Sequence, residues 1–165
     1  MSEKIISILK FAIAREKEGV SFYEEKLARA KTDEVKDILE KLRDMEKDHV
    51  NYIREALEKA GRGDEIVLEE LKEPRIFENR ESVELKGFDI NDIVGDIAIL
   101  RMGYLIEKDF EDFYDDLAEK TEAEPARKLL LHLSTWENEH KNSLLDLYNS
   151  LMKEYWNIQG FTPLF

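Results

Sequence analysis

The chain contains no cysteine. That absence excludes disulfides, thiolate zinc sites, iron–sulfur clusters, covalent haem attachment and thiol redox chemistry. Any electrons the protein handles must pass through a metal or arrive from a partner. Helix breakers are scarce, with 3 Pro and 7 Gly in 165 residues, so long helices are favoured over a strand-rich fold with many turns. No apolar run could span a bilayer, and residues 1–10 lack the apolar core of a signal peptide, which implies a cytoplasmic protein without a membrane partner. Positive charge is in deficit: 25 Lys and Arg against 38 Asp and Glu leave a net charge of −13. Nucleic acid is therefore not an expected partner, because its binders neutralise phosphates with Lys and Arg. What remains is a chain 42% hydrophobic and 38% charged, one domain long, with enough apolar residues for a core under a charged surface.

The apolar residues fall on helical stripes. Ile5, Leu9, Ala12, Glu16, Gly19, Tyr23, Leu27 and Ala30 step by fours and threes, predicting a helix over about 3–30. A second, over about 33–60, carries Val35, Ile38, Leu39, Leu42, Glu46, His49, Ile53, Leu57 and Ala60, with Thr32 or Asp33 as N-cap and Gly61-Arg62-Gly63 as its end. Residues 61–89 show no clean period and contain Pro74; a short helix around 65–71 is allowed, and the stretch is long enough to run from one end of a bundle to the other. Such a crossover would leave the second and third helices parallel. The third helix, about 90–119, follows a cap at Asp89 or Asn91 and carries Ile93, Ile97, Leu100, Tyr104, Glu107, Phe110, Tyr114 and Leu117. The fourth, about 125–155, opens on Pro125 and carries Leu129, Leu130, Leu133, Glu137, His140, Leu144, Leu147 and Leu151. The tail 156–165 is apolar and aperiodic, with Gly160 and Pro163 set against helix. These elements predict an all-α four-helix bundle of two hairpins, forming a single domain over 1–165.

Polar residues interrupt the stripes at six related places. Glu16, Glu46 and His49 recur as Glu107, Glu137 and His140: 107 − 16, 137 − 46 and 140 − 49 are all 91. The surroundings of the first pair repeat as well, since Glu16-Lys17 and Phe22-Tyr23-Glu24-Glu25 match Glu107-Lys108 and Phe113-Tyr114-Asp115-Asp116. Each Glu-x-x-His puts two side chains on one face of its helix. A lone Glu-x-x-His is usually a surface charge pair, but these copies lie on apolar faces and take up two of the 3 histidines in the chain. An unpaired carboxylate in a core is costly, and four together repel and raise one another's pKa. Two divalent cations would balance four carboxylates with both histidines neutral. Oxygen-rich ligands with one imidazole per ion suit iron, manganese or zinc. The candidate metal ligands are thus Glu16, Glu46, His49, Glu107, Glu137 and His140. His132 does not recur, its counterpart being Lys41, and lies off the ligand stripe; it is expected at the surface. Trp136, beside Glu137, is expected to pack next to the site.

On these motifs the chain resembles the ferritin-like di-iron carboxylate superfamily, most closely its rubrerythrin-type domain, over roughly 3–60 and 90–155. The resemblance implies a ferritin-like bundle binding two iron ions, with Glu46 and Glu137 bridging, Glu16 and Glu107 terminal, and one of His49 and His140 on each metal. Tyr23 and Tyr114 match tyrosines seven residues after the helix glutamate, placed to bond a ligand of the opposite hairpin. It further implies reduction of hydrogen peroxide, with ferroxidase or iron handling using dioxygen, or a non-catalytic metal-binding bundle, as the other functions this scaffold hosts. Three departures qualify it. The chain lacks the cysteine-ligated rubredoxin domain of typical rubrerythrins, so an external donor such as a rubredoxin-like protein is required. Phe110 stands where rubrerythrins often carry an extra glutamate, so the resemblance does not extend to the ligand exchange associated with it. No fifth helix supports a 24-subunit cage; the apolar tail and the resemblance lean toward a homodimer.

Overall fold

The computed structural model of the chain describes residues 3–64 and 89–161. Four helices account for nearly all of them: α1 (Glu3–Leu27), α2 (Asp33–Arg62), α3 (Ile90–Glu119) and α4 (Glu124–Ile158). At 25 to 35 residues each, they are about 40–50 Å long. Proline is absent from their interiors, Pro125 standing in the first turn of α4 where its missing N–H costs nothing. None of these helices is long and apolar enough to cross a membrane. Of the expected crossover, residues 65–88 lie outside the described residues, as does the short helix allowed at 65–71.

The packing direction follows from which residues share a core. One apolar cluster joins the N-terminal half of α1 (Ile5, Leu9, Ala12) and the C-terminal half of α2 (Ile53, Ala56, Ala60). To these it adds the C-terminal half of α3 (Phe110, Tyr114, Ala118) and the N-terminal half of α4 (Leu129, Leu130, Leu133). The other joins the opposite halves, with Tyr23, Val35, Ile38, Leu42, Ile93, Leu100, Leu144 and Leu151. Hence α1 and α2 are antiparallel, α3 and α4 are antiparallel, and α2 runs parallel to α3. The chain leaves α2 at one end of the bundle and enters α3 at the other. Each fully buried Leu or Ile contributes roughly 1.5–3 kcal/mol. The two clusters clamp a polar layer at mid-height, where all six predicted ligands lie.

Helix ends depart from expectation in two places. The first helix stops at Leu27, not about 30, because Arg29 and Ala30 both turn back onto the Lys26 carbonyl. The fourth runs to Ile158 and so takes in the first residues of the expected tail. Its stop is set by Gly160, whose φ of 74° lets the Gly160 N–H reach the Asn157 carbonyl and the Phe161 N–H reach that of Trp156. The Trp156 and Phe161 rings close this cap edge to face. Gly63, with φ 79°, ends α2 in the same way.

The α1–α2 turn is held from across the bundle. Thr32 is the N-cap of α2, but its side chain makes no cap hydrogen bond. The carboxylate of Asp96, on α3 and 1% exposed, accepts instead from the Lys31 N–H at 2.9 Å and the Thr32 N–H at 2.6 Å. Asp96→Ala leaves those donors without this partner and should destabilise the metal-free protein by about 1–3 kcal/mol in urea unfolding. An unchanged midpoint would show that the tie does not hold the two hairpins together.

Candidate metal centre

Six side chains converge between the two apolar clusters: Glu16 from α1, Glu46 and His49 from α2, Glu107 from α3, and Glu137 and His140 from α4. All six are carboxylates or imidazoles 0 or 1% exposed, on helix faces that otherwise carry mostly apolar residues such as Leu, Ile and Ala. The reason is periodic. A residue three or four positions from a core leucine points where that leucine points, so a glutamate on the stripe has nowhere else to go. Ligand-bearing atoms fall into two sets, each within 4.8 Å: Glu16, Glu46, His49 and Glu137, and Glu46, Glu107, Glu137 and His140. Glu46 and Glu137 belong to both.

The Nδ1 atom of each histidine faces the carboxylates. His49 Nδ1 lies 2.9 Å from Glu16 Oε2 and 3.6 Å from Glu137 Oε1. His140 Nδ1 lies 3.2 Å from Glu46 Oε1 and 3.6 Å from Glu107 Oε2. Two tyrosines brace the outer glutamates crosswise. The Tyr23 hydroxyl on α1 donates to Glu107 Oε1 on α3, and the Tyr114 hydroxyl on α3 donates to Glu16 Oε1 on α1. Each bond fixes one oxygen of its glutamate. Gly19 then makes room on the α1 side: a Cβ there would stand 3.1 Å from Glu46 Cδ and Oε2.

Metal-free, this set is under electrostatic strain. Burial, and then the Glu46 charge, push the Glu16 carboxyl from 4.5 up to about 8. Burial, and then Glu46 and Glu16, push Glu137 well above its ordinary value. For Glu46 burial acts upward too, but the facing imidazoles of His140 and His49 outweigh it and hold that carboxylate below its ordinary range. Burial opposes a charge on His140, yet the carboxylates facing it, Glu107 first and then Glu137 and Glu46, raise it well above 6.5. Burial and the facing glutamates keep both tyrosine hydroxyls protonated. The set therefore stays buried by retaining protons. Even so, both oxygens of Glu46, both of Glu137 and Oε2 of Glu107 are buried and accept no hydrogen bond among the described residues. Buried oxygens of this kind are ordinarily satisfied, and their convergence, with an imidazole at each end, fits a cation: oxygen-rich sets with imidazole suit iron or manganese.

Two features here have little trace in the sequence. The Trp136 indole stacks on His49, a residue of the other hairpin, at 4.5 Å between ring centroids. Its place next to Glu137 gives its position but not its partner. Asp96 has no counterpart at the repeat offset, position 5 being Ile5, and only the fold reveals what it holds. His132 is half-buried and stands 6.5 Å from the Trp136 ring.

Residues 7–148 match the family model described as Rubrerythrin. No curated protein and no solved structure matches the chain.

Two outcomes follow from this geometry. Glu16, Glu137 and His140 each hold a proton in the folded chain that the unfolded chain releases at lower pH, so stability is lost as pH rises. The unfolding midpoint of the metal-free protein should fall between pH 4.5 and about 8, the range over which Glu16 titrates. Metal displaces those protons, so loading at neutral pH should release them into weakly buffered indicator, and the loaded protein should lose this pH dependence. A flat metal-free profile would contradict the account. Gly19→Ala should weaken metal binding by roughly tenfold or more through displaced Glu46. Gly95→Ala, whose Cβ meets nothing within 4 Å, should leave affinity unchanged while gaining about 1 kcal/mol of helix stability.

Proposed function

The chain belongs to the rubrerythrin family, and on that footing we propose that it is a di-iron oxidoreductase that reduces hydrogen peroxide with electrons from a separate donor protein. The observation that carries this reading is the pair of overlapping buried ligand sets that share Glu46 and Glu137. In this reading Glu16, Glu46, His49 and Glu137 would hold one ion and Glu46, Glu107, Glu137 and His140 the other, Glu46 and Glu137 being common to both sets. Iron bound there supplies one electron per ion and a Lewis-acidic pair at which an O–O bond is polarised.

The remaining work is done by side chains. Four carboxylates would neutralise two divalent ions, which would let both histidines, whose Nδ1 atoms face the carboxylates, act as neutral imidazoles. Tyr23 and Tyr114 keep Glu107 and Glu16 from rotating by holding Oε1 of each, leaving Oε2 turned toward the site. Apolar layers above and below exclude bulk water, which strengthens every charge interaction inside. With no cysteine in the chain, electrons to restore the reduced state come from a partner, such as a rubredoxin-like protein.

Anaerobic titration of the metal-free protein with ferrous iron should end at about two ions per chain, the number the shared sets accommodate. Mixing with peroxide in stopped flow should oxidise the loaded protein much faster than mixing with dioxygen. Faster oxidation by dioxygen would replace this reading with ferroxidase chemistry, and failure to bind iron would remove both. Glu46→Ala and Glu137→Ala should each abolish binding of the second ion; variants that keep both ions would show the bridging assignment to be wrong.

A further inference from the structure

We propose that Trp136 carries single electrons between the His49 side of the metal centre and the protein surface at Tyr52. This rests on the redox reading of the centre given above. Its basis is a run of rings. The His140 and His49 imidazoles are parallel, 5.2 Å apart at 1°. His49 also stacks on Trp136, 4.5 Å apart at 17°. Tyr52 meets the indole edge to face at 5.4 Å. Trp136 is 5% exposed, whereas Tyr52 is half-buried. Rings in contact therefore lead from a centre closed to solvent to the outer part of α2.

Packing alone does not ask for this arrangement. The two hairpins repeat at an offset of 91, and the six ligands and two tyrosines recur with it, but the rings do not. Trp136 corresponds to Met45, and Tyr52 to Ser143. The other hairpin forms its half of the centre with no indole at that position. The tryptophan is thus an addition to one side only. A centre whose ligands are all buried, in a chain without cysteine, also needs some path for electrons from outside. An indole stacked on a ligand is such a path, since its extended π-system can give up an electron without first losing a proton.

The electron balance closes with an external one-electron donor. Hydrogen peroxide held at the centre is the oxidant that draws on the relay: as its O–O bond is cleaved, the Trp136 indole gives one electron inward. Tyr52 refills the indole and loses its phenolic proton to water. A one-electron redox protein then refills Tyr52, which takes a proton back. Two such passes, with two protons, account for the conversion of one hydrogen peroxide into two waters.

The relay predicts where oxidative equivalents go when the donor is withheld. Iron-loaded protein is treated with peroxide without a reductant, digested, and mapped for oxygen addition by tandem mass spectrometry. Trp136 and Tyr52 should be modified and the less buried Trp156 spared. Trp136→Phe keeps a ring in the stack but removes the oxidisable indole, so modification of Tyr52 should be lost; Trp136→Tyr should restore it. Iron stoichiometry, expected to be unchanged in both variants, reports that the centre is intact. Undiminished oxidation of Tyr52 in Trp136→Phe, or oxidation confined to Trp156, overturns the relay. A second arm needs no iron. In metal-free Trp156→Phe protein, azide radicals from pulse radiolysis should give an indolyl signal that converts to a tyrosyl signal, and adding Tyr52→Phe should leave the indolyl signal standing. Conversion unaffected by Tyr52→Phe overturns the relay. If iron binds but peroxide is not consumed, the peroxidase reading fails instead, and the metal-free arm decides the relay by itself.

Discussion

Four carboxylates share the middle of an apolar bundle, and their mutual repulsion is the constraint that the rest of the structure answers. No helix in isolation would bury Glu16, Glu46, Glu107 or Glu137. Each goes inside because its neighbours three and four positions away are core residues, and the burial of those residues outweighs the penalty for the acid. Without cations the repulsion is relieved by protons, which Glu16 and Glu137 retain and which His140 holds on its imidazole. Five carboxylate oxygens still find no hydrogen bond among the described residues. A pair of divalent ions would resolve both difficulties together, supplying charge and coordination at the same atoms.

The supporting parts make sense as consequences. Tyr23 and Tyr114 cross between α1 and α3 to hold the outer glutamates, so each hairpin steadies the other's ligand. Gly19 yields the space that Glu46 occupies. Its counterpart in the repeat is Phe110, packed in the apolar cluster under the Arg15 guanidinium. The two halves are therefore equivalent in their ligands and unequal in their surroundings. One side has a glycine against its shared glutamate, and one has an indole against its histidine. A duplicated hairpin supplies the six candidate ligands, and the differences between the copies are where function beyond the proposed metal binding is to be sought.

Much of this was legible in the sequence because period and offset are strong signals. The stripes of Leu, Ile and Ala placed four helices, and the 91-residue repeat picked six polar residues out of a chain holding 38 acids. The tyrosines were legible for the same reason, lying almost two turns beyond their glutamates. What the sequence did not disclose depends on contacts between elements far apart in the chain. Asp96 reads as one more acid on an acidic helix until the α1–α2 turn is set beside it. The stack of Trp136 on His49 joins residues of different hairpins and leaves no periodic trace. The end of α4 was missed by a few residues because Gly160 and Pro163 signal a stop without saying how close to it the helix runs; the left-handed Gly160 cap sets it at Ile158.

The central claim is that one buried set of six side chains takes two metal ions held in common by two glutamates. Its most direct test is an anomalous-difference map, at the iron edge, from crystals grown with ferrous iron under anaerobic conditions. The account predicts two peaks per chain about 3.5–4 Å apart, both adjoining Glu46 and Glu137, one beside His49 and the other beside His140. A single peak, or peaks on surface acids with the buried set empty, would contradict it.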